Sequence, residues 1–126
     1  MQLSKNFTTR EFTCRCGCGF GTNPGDIDLR LISGLQQLRD SLGVPIFISS
    51  GCRCPEHNKR VGGAELSQLT LGTAADIYTH TETPLRVAQA ADDIEEFAYG
   101  GIGLYIQRGF VHVDVRPNRA RFGDRF

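Results

Sequence analysis

A surplus of charge of either sign is missing from this chain: 14 basic residues meet 14 acidic ones, and the formal net charge is zero. That removes the electrostatic footprint of a nucleic-acid binder or of a protein held on an anionic membrane. Long apolar runs are missing too. No stretch approaches the roughly 18 consecutive apolar residues of a membrane-crossing helix. Met1-Gln2-Leu3-Ser4-Lys5-Asn6 lacks the charged-then-apolar layout of a signal peptide. Internal repeats and low-complexity tracts are not found. Histidine is scarce, with three in 126 residues, so imidazole chemistry must draw on His57, His80 or His112. Neither nucleic acid nor a membrane is expected as a partner.

What is present suits one compact unit. A length of 126 residues predicts a single domain, 1–126, and a hydrophobic content of 40% is enough for its core. A charged fraction of 22% matches an ordinary surface. The basic run from Arg116 to Arg125 is the local exception and reads as a solvated tail. Five cysteines fall in two clusters, Cys14, Cys16 and Cys18, then Cys52 and Cys54. An odd count leaves at least one thiol unpaired within the chain. Three readings stand open: one or two bridges between the clusters, a thiolate zinc site with unusual Cys-x-Cys spacing, or reduced thiols packed as small apolar groups.

Along the chain, glycines and Pro24 make residues 1–25 a Cys-rich, loop-like segment. Asp26 is the expected N-cap of a helix whose apolar stripe is Ile27, Leu31, Leu35, Leu38 and Leu42, ending at Gly43. Pro45 to Ser49 reads as a buried strand, followed by a short helix from Glu56 to Val61 opened by Pro55. Ala74 to Tyr78 reads as a second strand. Thr83 and Pro84 start another helix that runs to Gly100-Gly101, with Leu85, Ala88, Ala91 and Ile94 on its buried face. Ile102 to Ile106 and Phe110 to Val115 form a hairpin across Gln107-Arg108-Gly109. Strands and helices mix without regular βαβ repetition, which predicts an α+β fold with a mostly antiparallel sheet and flanking helices.

On the strand 110–115, His112 and Asp114 are two residues apart and share a face. Asp76, on the strand from Ala74, can face the same cleft. An imidazole and a carboxylate are both proper zinc ligands. Spacing alone leaves a hydrogen-bonded surface pair as the competing reading.

Several longer segments bear on that choice. Ser50-Gly51-Cys52-Arg53-Cys54-Pro55-Glu56-His57-Asn58, Val61-Gly62-Gly63-Ala64, and the run from Ser67 through Gly72 and Ala74 to Asp76 come in order. Gly100-Gly101-Ile102-Gly103-Leu104-Tyr105 and Phe110 to Pro117 follow. Together they resemble the D-alanyl-D-alanine carboxypeptidase-like zinc peptidases, peptidase family M15. Glu11 to Gly19 has the look of the family's phage-associated members.

The resemblance implies the D-Ala-D-Ala carboxypeptidase/hedgehog-like zinc peptidase fold, a Zn2+ cofactor and a peptidoglycan stem peptide as substrate. It implies Asp76 and His112 as zinc ligands, Arg53 on the substrate's carboxylate or scissile region, and Ser67 close to the substrate. The same run departs from the family at one position. The family's third ligand, a histidine, is replaced by Leu69, which cannot bind a metal. A second departure concerns the general base. Branches of the family place an acidic residue or a histidine two or three positions before the last zinc histidine, where this chain has Phe110 and Gly109. Asp114 is the nearest carboxylate, as base or as the group that orients His112. His57 and His80 are the remaining histidines, the first read as structural and the second as a loop residue.

Two functions follow as expectations. One is a zinc-dependent peptidoglycan peptidase impaired by Leu69; the other is a peptidoglycan-binding or phage structural module without catalysis. A monomer is expected. With no export signal, such a protein would be cytoplasmic in the producing cell or phage-associated, acting on the cell wall after release.

Overall fold

The computed structural model describes residues 1–64 and 66–126. A short helix, α1 (Thr9–Phe12), opens the chain, and a 3-10 turn at Pro24–Asp26 precedes the long helix α2 (Leu29–Leu42). The strand β1 (Phe47–Ser50), helix α3 (Pro55–Arg60), a second 3-10 turn (Gln68–Leu71) and strand β2 (Ala74–Tyr78) follow. Helices α4 (Pro84–Asp92) and α5 (Glu95–Ala98) lead into β3 (Gly101–Tyr105), β4 (Phe110–Asp114) and β5 (Ala120–Gly123). The sheet order is β1-β2-β4-β3-β5, antiparallel throughout except for the parallel pair β3 and β5. The class is α+β with a mostly antiparallel sheet and flanking helices, as the sequence predicts.

Strand alternation sorts the residues into a core face and a cleft face. Ala75 and Ile77 of β2, Ile102 and Leu104 of β3, and Val111 and Val113 of β4 are buried in one apolar cluster. Leu31, Leu35 and Leu38 of α2, Val87, Ala88 and Ala91 of α4, and Phe97 of α5 complete that cluster from the helical layer. The alternate residues of the same strands, Asp76, Gly103, His112 and Asp114, therefore share the opposite face, and that alternation places the site.

Several local expectations need correction. Asp26 does not cap α2. Its carboxylate accepts from the backbone of Gly21 (3.0 Å) and Asn23 (3.4 Å) and closes the first 3-10 turn. Asp28 is the cap, accepting from the Arg30 N–H at 2.8 Å, which moves the helix start past Ile27 although Ile27 remains in the core. The expected single helix from Pro84 breaks at Asp93-Ile94 into α4 and α5, and Leu85 faces outward while Val87 and Ala90 join the buried face. The N-terminal segment carries α1 rather than loop alone. The basic run is not a solvated tail: β5 adds to the sheet, and Arg121 bonds Asp92 and the Gly100 carbonyl.

Phe97 joins the helical layer to the sheet because α2 has no side chain beneath it. A Cβ on Gly34 would lie 2.7 Å from the Phe97 ring. Truncating this fully buried ring leaves a void that the rigid sheet cannot close. Phe97→Ala is expected to cost about 3–5 kcal/mol, read from denaturant unfolding midpoints at unchanged slope.

Candidate active-site cleft

β2 and β4 bring Asp76 and His112 opposite each other in register. Nδ1 of His112 lies 3.0 Å from Asp76 Oδ1, and Nε2 lies 2.7 Å from Asp114 Oδ2. One imidazole thus sits between two carboxylates. Asp114 is fully buried and has no room for another partner: it also accepts from the Gly101 N–H at 2.8 Å and from the Arg116 guanidinium. Phe122 of β5 packs beside His112, with ring centroids 5.3 Å apart, in space that Gly103 leaves open.

Burial opposes the charged imidazolium of His112, but the hydrogen bonds to Asp114 and Asp76 outweigh it and raise its pKa above the ordinary 6.5. Asp114 moves the other way. Burial alone would push it up, yet His112 and Arg116 hold its carboxyl well below the usual carboxylate range.

In front of Asp76 opens a cleft of about 540 Å³ whose lining includes Arg15, Arg53, Asp76, Tyr78, Arg108 and Phe110. A continuation of about 320 Å³ shares Arg53, Asp76, Arg108 and Phe110 and reaches His112. Arg53 is held by two of its nitrogens, Nη1 donating to Asn58 Oδ1 (3.1 Å) and Nη2 to Ser50 Oγ (2.9 Å). Its Nε is buried without a partner. Gly63 makes this arrangement possible, because a Cβ there would meet Asn58 Oδ1 at 2.0 Å and Arg53 Nη1 at 2.8 Å. Arg108 lies 5.0 Å from the centroid of the Phe110 ring, a cation–π distance.

Of the remaining candidates, His57 reaches the cleft wall and the others lie away from it. Ser67 caps the second 3-10 turn, its hydroxyl accepting from the Leu69 N–H at 3.2 Å. Leu69 is buried in that turn, outside the main apolar cluster, and its carbonyl accepts from the Arg53 N–H at 3.0 Å. His57 lines the wider cleft, while His80 stacks on Phe47 with ring centroids 4.2 Å apart. Sequence reasoning missed Arg15, Arg108 and Phe122. The hairpin turn that carries Arg108 was legible, but nothing in the sequence announced that it points into the cleft.

The family model of peptidase M15 matches residues 5–114, most of the chain and every cleft-lining residue named above, while Arg116 and Phe122 lie beyond it. The chain belongs to the peptidase M15 family. No curated protein matches it. Membership of M15 places this domain in a family of zinc peptidases, within the metallopeptidase class of hydrolases.

The cleft keeps part of what a zinc needs. Asp76 and His112 present adjacent donor atoms, and Asp114 fixes the imidazole as carboxylates commonly fix metal-binding histidines. A catalytic zinc takes three protein donors. Leu69 offers none, and among the described residues no further His, Cys, Asp or Glu joins Asp76 and His112 in a metal-sized cluster. The described residues do not fit a catalytic zinc.

The imidazole titration can be followed directly by NMR on the unaltered protein. Because the folded pKa of His112 is raised, its contribution to stability is full below the ordinary 6.5 and fades as pH rises through the folded value. The contribution of Asp114 has the opposite sign, present above the ordinary 3.8 and lost as pH falls through its depressed value. The ring resonances of His112 are expected to titrate with a midpoint above the ordinary 6.5, and a midpoint below 6.5 would contradict the paired geometry.

Proposed function

We infer that this M15 cleft recognises the carboxylate end of a peptidoglycan stem peptide and does not hydrolyse it. The observation that carries the reading is the donor count: among the described residues Asp76 and His112 have no third donor beside them, and the position where the family's resemblance calls for it holds the apolar Leu69. With no complete metal site, the cleft has no means of activating water at neutral pH. What survives is the apparatus for holding a peptide. Arg15, Arg53 and Arg108 face one carboxylate, Asp76, so the cleft carries local positive charge although the whole chain is neutral. The Arg53 fork, braced by Asn58 and Ser50 and lining the cleft, suits a planar carboxylate. Tyr78 and Phe110 supply flat walls for the peptide's apolar parts.

Asp114 acts as the positioning group. It is enclosed and fully committed to His112, Gly101 and Arg116, which leaves it unable to exchange protons with a bound ligand. Ser67 supports the turn under Leu69 rather than the ligand.

Calorimetry with a short stem peptide ending in D-Ala-D-Ala, alongside mass spectrometry of the same mixture, tests both halves. Binding without cleavage, unchanged by chelator, is expected. Arg53→Ala should weaken binding by about 1.5–3 kcal/mol, the usual loss of a charged hydrogen bond, or roughly 10- to 100-fold in Kd. Arg53→Lys should not restore it, since an ammonium cannot reproduce the fork. Chelator-sensitive cleavage by the unaltered protein would overturn the reading. Leu69→His is expected to add a chelatable zinc that the unaltered cleft does not hold.

A further inference from the structure

The cysteines of the N-terminal segment converge with one from the loop that carries Arg53. Cys14, Cys16, Cys18 and Cys54 place their sulfurs within 4.8 Å of one another. Cys14 Sγ lies 3.5 Å from Cys16 Sγ, and Cys16 Sγ lies 3.6 Å from Cys54 Sγ. Two bonded sulfurs would be about 2.0 Å apart, and all five cysteines are free. Four thiolates about 2.3 Å from a central zinc stand about 3.8 Å from each other along the edges of a tetrahedron. The observed spacings are those of the second arrangement.

The surroundings agree with ligation. The Cys54 N–H points at Cys14 Sγ and the His57 N–H at Cys54 Sγ, each at 3.4 Å, the kind of backbone contact that steadies a thiolate. Positive φ at Gly17 (82°) lets the Cys-x-Cys-x-Cys segment coil tightly enough to turn its side chains to one centre. Simple apolar packing does not describe the group. Cys14 is buried yet stands outside the main apolar cluster, and Cys18 is exposed. Cys52 is the contrast: it belongs to that cluster, and its sulfur lies 3.9 Å from the Asp26 carbonyl.

We propose that Cys14, Cys16, Cys18 and Cys54 form a structural tetrahedral zinc site, separate from the Asp76–His112 cleft, with Cys52 a core thiol outside it. The ion would bind as the four thiols lose their protons and would close its coordination sphere, leaving no position for water or substrate. Its place explains its use. Residues 14–18 form an irregular segment, and Cys54 begins α3 immediately after Arg53. Between the first two ligands, Arg15 reaches across to donate to the Ile48 carbonyl at 3.1 Å and lines the cleft. A zinc there would tie the segment bearing Arg15 to the loop bearing Arg53. The proposal does not depend on what the cleft binds.

Elemental analysis of protein produced with zinc and purified without chelator should find one zinc per chain. Asp76→Ala and Cys52→Ser should keep it, and Cys16→Ser should lose it. Cobalt(II) reconstitution should give the thiolate charge-transfer band and strong visible bands of a tetrahedral sulfur site. Should Cys16→Ser fail to fold, the unaltered protein still decides. Alkylation should release zinc in step with modification of Cys14, Cys16, Cys18 and Cys54 while Cys52 stays protected. Metal-free protein, zinc that disappears with Asp76→Ala, or a disulfide among these cysteines in freshly isolated protein would each overturn the proposal.

Discussion

The carboxylate of Asp114 holds together more of this structure than any other group. It is fully buried at the end of β4, and a charge in that position persists only when every oxygen is occupied. Gly101 N–H, His112 Nε2 and the Arg116 guanidinium occupy them. Those three bonds fix separate things: the register of β3 against β4, the plane of the imidazole in the cleft, and the path of the chain as it leaves the sheet toward β5. Removing the carboxylate would strand a buried imidazole against Asp76 and leave the Arg116 guanidinium without its partner in one step, because the same two oxygens serve both.

The features legible in the sequence were those set by period and punctuation. The stripe of α2, the limits of β2 and the hairpin over Gly109 follow from apolar spacing and turn residues, and the structure has them nearly where expected. The misplaced features depend on tertiary choices. Asp26 and Asp28 are equally good caps by residue type; the N–H groups of Gly21 and Asn23 claim the first and leave the helix to the second. Nothing in the composition of Ala120–Gly123 marks a strand, since no more than half-buried residues and a terminal glycine give no alternation to read. Its pairing is set by the vacant edge of β3.

The site was legible in identity and not in geometry. His112, Asp76, Asp114 and Arg53 were recognisable as residues, because their motifs are local. Three facts were not: that both nitrogens of one imidazole are taken, that Arg15 and Arg108 converge on the cleft from a loop and a turn, and that Phe122 covers the ring. Each joins segments far apart in the chain. The cysteines show the same limit, for the odd count left three readings open until the sulfurs could be placed relative to one another.

The hydrogen bond from Arg15 to the Ile48 carbonyl also bears on how this sheet meets other molecules. β1 is an outer strand, four residues long, and an outer strand invites a foreign strand to pair with its free backbone groups. A guanidinium seated on one of those carbonyls takes up an acceptor and places a charge where an incoming strand would lie. The opposite border ends in β5, equally short and bearing Arg121. Both borders of the sheet are thereby blunted against edge-to-edge aggregation, the hazard that any open β-structure of this size carries.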